Sequence, residues 1–340
     1  MSLLYNILWK YWFDNQDPRT VHLPLCSNSP YPVLIIIGLY LWFCLRLGPY
    51  IVDTVNNNNK NNNNISNNSN NKIKKNHNEN QNQISSNDSY DQHQHILLSL
   101  QKQQSQSHFN NNKPIISDNI LKPIMLVYNV SMTMFNSFFV VMILLFFDFK
   151  KLADFRYPNL TKDSTSAQQQ FEYWYINFGW WYWMTKFLDL FDSIFFLLRN
   201  KHRTHLTFLH LYHHSVVPIF GYLFLKLNPL LPMVALFGLV NGLVHCIMYS
   251  YYAITLFADN SIRRRLWWWK RSITQLQLGQ FIIYIFYGLL LVFKQQDYPP
   301  FWFVLGLSQP FVFFKLFYDF YSQAYNSDND IVIISKKKHN

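Results

Sequence analysis

The sequence predicts an all-α polytopic membrane protein with seven transmembrane helices. Three observations predict it. Seven apolar runs are each long enough to cross a bilayer, for which about 20 helical residues are needed. The basic residues sort to alternate loops, and the polar residues inside the runs recur at helical spacing. The 340 residues are 50% hydrophobic and 19% aromatic, yet the mean hydropathy sits near zero because one Asn-rich tract dilutes the average.

Residues 1–30 read as an N-terminal segment on the lumenal side, and Asp14, Asp17 and Arg19 within it are foreign to a cleavable signal peptide. A membrane domain follows over residues 31–325. Its apolar runs cover residues 31–51, 123–147, 178–198, 206–225, 231–257, 273–293 and 301–321. The first loop carries an Asn-rich insert over residues 56–112, too polar to bury the apolar surface that would offset the entropy of ordering it, so it is expected to be disordered. Residues 326–340 form a basic tail.

With a lumenal N-terminus, the insert, the loop of Arg199, Lys201 and Arg203, the cluster of Arg263, Arg264, Arg265, Lys270 and Arg271, and the tail all face the cytosol. That is the positive-inside pattern. Lys150, Lys151, Arg156 and Lys162 lie in a loop on the other side, mixed with acids, and depart from it. Solvated basic loops account for the formal charge of +11 without nucleic acid as a partner. The last four residues, Lys337, Lys338, His339 and Asn340, fit the two-lysine pattern that retrieves cytosolic tails to the endoplasmic reticulum. Asn159 opens an Asn-Leu-Thr glycosylation sequon in a loop, whereas the Asn129 sequon lies inside a span. Cys26, Cys44 and Cys246 are too few and scattered for a disulfide framework or a zinc cage.

Ionised side chains at mid-bilayer cost about 2.5–3.5 kcal/mol on insertion scales, so polar residues within the runs carry the information. The third run holds Lys186, Asp189 and Asp192 at spacings of three, on neighbouring rows of one helix face; a structural ion pair between helices explains them as well as a site does. The fourth opens with His210, His213 and His214, at i, i+3 and i+4, on one side of a helix. A lone histidine there would be an interhelical hydrogen-bonder, but three together exceed that need. In the fifth run Asn241, His245, Met248 or Tyr249, and Tyr252 form a polar face three turns long. In the sixth, Thr274, Gln277 and Gln280 share a face, although glutamines also glue membrane helices. Four such faces in the cytosolic half predict one hydrated chamber over an apolar tunnel. Arg199, Lys201, Arg203 and the Arg263–Arg271 cluster would ring its mouth, suited to a phosphate-bearing substrate.

The histidines leave three chemistries open. A diiron centre draws on about eight imidazoles and more than one box, and a second HxxHH is not in this sequence. A single zinc held by the box and His245 fits imidazole chemistry. Metal-free acyl transfer through a nucleophilic histidine is the third. A membrane desaturase or hydroxylase and a lipid or anion transporter are therefore the alternatives to an acyltransferase, although the internal repeat expected of a transporter is not visible.

Four blocks in order, LDLFDSIFFLLRNKHR, TFLHLYHH, NGLVHCIMYSYY and TQLQLGQF, resemble the signature blocks of the ELO family of very-long-chain fatty acid elongases, roughly KxxExxDTxFFxLR, FLHxxHH, NxxxHxxMYxYY and TxxQxxQF. DPRTVHLPLCSNSPYPVLIIIGLYLWFCLRLGPYIV and KPIMLVYNVSMTMFN resemble that family's first two segments. Asp189 stands where the family usually has Glu and Ser193 where it has Thr, and the Asn-rich insert replaces a short loop.

The resemblance implies seven helices, six of them in a barrel around an acyl-chain tunnel, in the endoplasmic reticulum membrane. It implies condensation of a long-chain acyl-CoA with malonyl-CoA to 3-oxoacyl-CoA, CO2 and CoA, with no metal and no cofactor beyond the substrates. It makes His213, second in the box, the acyl-accepting nucleophile. His245 and Asn241 are then assigned to enolate or carbonyl stabilisation, with Tyr249 and Gln277 behind them, and His210 and His214 to orienting His213 or moving its proton. Asp189 and Asp192 would hold histidine tautomers. Lys186, Arg199 and Gln280 complete the substrate-binding set. Cys246, the rival nucleophile, points about 100° away from His245 on its helix. Expected partners are both CoA thioesters, membrane lipid, the reductases and dehydratase of an elongation cycle, and a second copy of the chain as a homodimer.

Overall fold

A computed structural model describes residues 12–27, 29–59, 61, 114–158 and 165–325. Most of the Asn-rich insert, the Asn159 sequon and the basic tail lie outside the described residues. Those described are helical, apart from loops and one isolated bridge between Arg156 and Gln296. The long helices are α1 (Tyr31–Asn59), α2 (Asp118–Phe146), α3 (Ser166–Leu188), α6 (Phe208–Leu227), α7 (Pro232–Thr255), α9 (Trp267–Lys294) and α10 (Pro300–Tyr325). Short helices α4 (Phe191–Leu198), α5 (His202–His205) and α8 (Asn260–Arg265) lie between them.

Five of these helices, α1, α2, α7, α9 and α10, are long and apolar enough to cross a membrane. The chain is a helical, multi-pass membrane protein. The other two long helices fall outside that set because polar residues dilute them: Gln168, Gln169, Gln170, Glu172 and Lys186 on α3, and three histidines and Lys226 on α6.

The third apolar run corrects the sequence expectation. It is not one helix: α3 ends at Leu188 and α4 begins at Phe191. The Asp189 amide caps α3 by donating to the Thr185 and Phe187 carbonyls, which tightens the last turn. Lys186, Asp189 and Asp192 therefore do not form one continuous helical stripe.

The chain divides into two compact units. One comprises residues 39–121 and 191–207. In it Tyr40 and Ser193 share a hydroxyl hydrogen bond of 2.8 Å, Arg203 reaches both Asp53 oxygens at 3.0 and 3.1 Å, and the Ile115 amide donates to Leu198 O at 2.8 Å. Gly48 fits where a side chain could not, since a Cβ there would lie 2.7 Å from Leu197 Cδ1. Burial lowers the pKa of His202 in this unit, partly offset by Asp53. Helix α1 continues to Asn59, four residues into the Asn-rich tract.

The larger unit comprises residues 1–38, 122–190 and 208–340. Within it α3 packs on α6, α6 on α10, α10 on α9, and α9 on α7. Helix α2 meets α3 through Phe139, whose ring lies 4.8 Å from Phe178 and 5.1 Å from Tyr182. It meets α7 at Gly238 and Gly242, where a Cβ would come within 3.1 Å of Ile143 and 3.0 Å of Val140; small residues let the helices approach closely. One end of the unit is closed by an apolar cluster of Leu227, Leu231, Leu291, Tyr298 and Trp302. The segment before α1 is tied to the same end. Its Asp17 amide donates to Lys226 O at 2.7 Å, Arg19 bridges Asp17 and Glu172, and the fully buried Lys226 ammonium donates to Cys26 O at 3.1 Å.

Candidate active site

On α3, Tyr182, Lys186 and the capping Asp189 recur at i, i+4 and i+7, so they share the face turned to α7. Lys186 and Asp189 are 3% and 2% exposed. Burying two such charges is tolerable only when each is paired and hydrogen-bonded. Lys186 Nζ donates to Asp189 Oδ2 at 3.3 Å and to Asn241 Oδ1 at 3.1 Å, and sits 4.8 Å from the Tyr182 ring centroid. Asp189 Oδ1 accepts from the Tyr249 hydroxyl at 2.9 Å. The polar faces of the third and fifth runs thus meet directly, and Asp189 holds both a cation and a phenol.

Helix α6 supplies the histidines. The His210 and His214 rings lie 4.2 Å apart, and His213 lies 5.1 Å from His214. The His213 ring is stacked 6.3 Å from His245 of α7 and meets Phe313 of α10 edge-on at 5.6 Å. His245 Nδ1 is 3.8 Å from Asp189 Oδ2, beyond hydrogen-bond reach. The Nδ1 atoms of His214 and His245 and Oε1 of Gln280 are buried without a hydrogen-bond partner among the described residues. Such groups cost about 1–3 kcal/mol each when orphaned, which makes them candidates for contact with a ligand.

Below the cluster lies a cavity of about 170 Å³. His213, Lys186, Asn241, Gln280 and Gln309 line one end, and Phe224, Pro229, Met233, Tyr287 and Gly306 line the other. Between them the wall is aromatic and aliphatic, including Phe178, Trp183, Phe220 and Phe237. From His213 to Phe224 the helical rise is about 16 Å. Trp183 shapes this wall: its Nε1 donates to Pro218 O at 2.8 Å, and its ring fills the space above Gly221.

Of the sequence candidates, His210, His213, His214, His245, Lys186, Asp189, Asn241, Tyr249 and Gln280 all fall in this unit, and the contacts above join all but Gln280, which reaches them through the cavity lining. Gln277 instead points its amide at Met248 Sδ, 3.9 Å away. Asp192 lies in the first turn of α4 and Arg199 follows that helix, both in the smaller unit. Arg271, expected at the mouth, lies against α10, donating to the Tyr321 hydroxyl at 2.9 Å. The Cys246 thiol faces Ser137 of α2 at 2.9 Å, away from the histidines. Among the described residues no group of three or more His, Cys, Asp or Glu is placed to hold a metal ion. Among the lining residues that sequence reasoning did not single out, two hydrogen-bond at the polar end. Tyr182 carried a signal, four residues before Lys186; Gln309 showed only as an amide in an apolar run.

Residues 96–332 match the family described as ELO: GNS1/SUR4 family. The chain is 31% identical over 218 residues to very long chain fatty acid elongase 2 of Rattus norvegicus, covering 64% of this chain and 73% of that protein. It is 36% identical over 150 residues to very long chain fatty acid elongase 4 of Mus musculus, covering 43% and 46%. With very long chain fatty acid elongase 7 of Rattus norvegicus the identity is 26% over 327 residues, covering 92% of this chain and 87% of that protein. With the family match running over more than half of its length, the chain belongs to the ELO: GNS1/SUR4 family.

Proposed function

We propose that this protein is a fatty acid elongase that condenses a long-chain acyl-CoA with malonyl-CoA through an acyl-enzyme on His213. The observation that carries the reading is the position of His213, at the polar end of a cavity that is otherwise apolar. A fatty acyl chain has that same polarity: a reactive thioester head on a long apolar tail. The names of the relatives support the reading, as does the succession of helix pairings α2, α3, α6, α10, α9 and α7 around the cavity-lining residues, which we take as the six-helix barrel of a seven-helix fold.

In the proposed first step a neutral imidazole nitrogen of His213 attacks the thioester carbonyl. The N–C bond forms, the C–S bond breaks, and CoA leaves with a proton. Imidazole, with an ordinary pKa near 6.5, is largely unprotonated at cytosolic pH and is a competent nucleophile. In the second step malonyl-CoA loses CO2, and the resulting carbanion attacks the acyl carbon; a C–C bond forms, the C–N bond to His213 breaks, and the departing imidazole nitrogen takes up a proton from water. Decarboxylation makes the carbanion directly, so the site needs donors for the enolate rather than a strong base. The dry cavity protects the acyl-imidazole from water between the steps.

The protein would work in the endoplasmic reticulum membrane with its N-terminus lumenal and its basic tail cytosolic. It would need no metal or cofactor, and would hand 3-oxoacyl-CoA to the reductases and dehydratase of an elongation cycle. The test is to incubate purified protein with a long-chain acyl-CoA alone and map any adduct by mass. An acyl group on His213 that is discharged by malonyl-CoA, with 3-oxoacyl-CoA appearing, is the expected result. Condensation without adduct or early CoA release retires the covalent step; no condensation at any chain length retires the elongase.

A further inference from the structure

Two side-chain amides at the polar end of the cavity have their oxygens already engaged. Asn241 Oδ1 accepts from the Tyr182 hydroxyl at 2.9 Å and from Lys186 Nζ at 3.1 Å, which uses both of its lone pairs. Gln309 Oε1 accepts from the Tyr212 hydroxyl at 2.8 Å. Both residues line the cavity, and Asn241 is 3% exposed. The Lys186 ammonium can only donate, so flipping Asn241 would set donor against donor, while Gln309 lies with its oxygen on the Tyr212 hydroxyl. In this arrangement the NH2 group of each is the end left for a ligand.

Each amide stands one helical turn from a ring that neighbours His213. Asn241 precedes His245 by four residues, and His245 is stacked 6.3 Å from His213. Gln309 precedes Phe313 by four, and Phe313 meets His213 at 5.6 Å and Tyr212 at 5.5 Å. Gln280 differs: its Oε1 is buried and held by nothing among the described residues, so its orientation is not set in advance.

We propose that Asn241 and Gln309 are paired carbonyl donors for the 1,3-dicarbonyl group of a 3-oxoacyl thioester and its preceding enolate, and that Tyr182 and Tyr212 are the positioning residues that orient them. This rests on the condensing reaction proposed above and specifies how the site handles it. A 3-oxoacyl thioester presents two carbonyl oxygens, one more acceptor than the saturated acyl thioester that enters. Two amide donors match the product and the transition state leading to it. Donors fixed before the reaction stabilise developing oxyanion charge without reorganising, and losing one such donor typically costs 10²–10³-fold in kcat, roughly.

The experiment uses full-length protein in detergent. Tyr182→Phe and Tyr212→Phe keep each ring and remove one oxygen. Each is expected to lower kcat about 10-fold, less than loss of a whole donor, with KM for the acyl-CoA unchanged. The nested variants carry the decision. Tyr182→Phe added to Asn241→Ala, and Tyr212→Phe added to Gln309→Ala, should cost nothing further, because each hydroxyl acts only through its amide. A hydroxyl that merely supports the fold would give additive losses. A measurement on wild-type protein avoids any variant that fails to fold: infrared spectra of bound 3-oxoacyl-CoA labelled with ¹³C at both carbonyls should show both bands shifted to lower frequency. Full activity in both tyrosine variants, additive losses, or an unshifted carbonyl overturns the inference while wild-type condensation stands. Wild-type protein without condensation overturns the functional reading, and this inference with it.

Discussion

The Tyr249 hydroxyl donates to Asp189 Oδ1 at 2.9 Å while the other carboxylate oxygen faces Lys186 at 3.3 Å. Asp189 thus joins the C-terminal end of α3 to the C-terminal third of α7, and it is the sole carboxylate paired with the buried Lys186 among the described residues. Removing one partner of a buried pair leaves an uncompensated charge, at a cost of about 3–5 kcal/mol. Asp189→Ala is expected to lower the thermal midpoint in detergent and to abolish condensation. Asp189→Glu keeps the charge and should retain measurable turnover. A scanning melt with paired activity assays checks both, and a fully active, stable Asp189→Ala would remove the carboxylate from the argument.

Trp183 and Gly221 make a second pair. A Cβ on residue 221 would lie 2.8 Å from Trp183 Nε1 and closer still to Cδ1. The indole is rigid and anchored to Pro218 O, so it cannot step aside cheaply. Gly221→Ala should destabilise by about 1–3 kcal/mol, the usual range for overpacking, and should impair acyl-CoA turnover by displacing the cavity wall. Gly279→Ala is the control, since its Cβ would meet nothing within 4 Å.

At the far end of the cavity, a Cβ at Gly306 would come within 2.8 Å of Met233 Cε. The flexible thioether therefore fills the space that Gly306 leaves. If the cavity holds the acyl tail, Met233→Ala should shift products toward longer chains and Gly306→Leu toward shorter ones. Chain-length profiling of products by mass spectrometry reads this, and identical profiles in both variants would place the tail elsewhere.

Cys26 is fully buried, and burial pushes its thiol up to about 12 against the pull of Lys226. The thiolate is the reactive species, and at pH 8 its fraction is on the order of 10⁻⁴. Maleimide should therefore label Cys26 only after unfolding, as peptide mapping would reveal. The folded value is raised, so the stability tied to this group is present below the unfolded value of about 9 and is lost as pH rises toward 12. Midpoints that rise over that interval would contradict it.

Much of the candidate site was legible because helical spacing places i, i+3, i+4 and i+7 on one face before any partner is known. His210, His213 and His214 cluster on that ground alone, and the same rule orders Asn241, His245 and Tyr249. The rule assumes an unbroken helix, and it failed at Asp189, where α3 ends and Asp192 passes into another helix and the other unit. Gln277 and Gln280 share a stripe in sequence, yet one meets a methionine of α7 and the other opens on the cavity. Spacing sets direction around an axis, but not which neighbour stands opposite.

By itself, then, the sequence determined the membrane class, the approximate spans, the polar faces and the family to which its motif blocks belong. These are local properties, written in hydropathy and helical period. Only the tertiary structure decided that Lys186 reaches Asn241, that Tyr182 and Tyr212 hold the oxygens of Asn241 and Gln309, and that Cys246 faces Ser137. Such pairings join residues tens to more than a hundred positions apart. They depend on how whole helices pack around a cavity, where a rotation of one helix by a single residue turns its face about 100°.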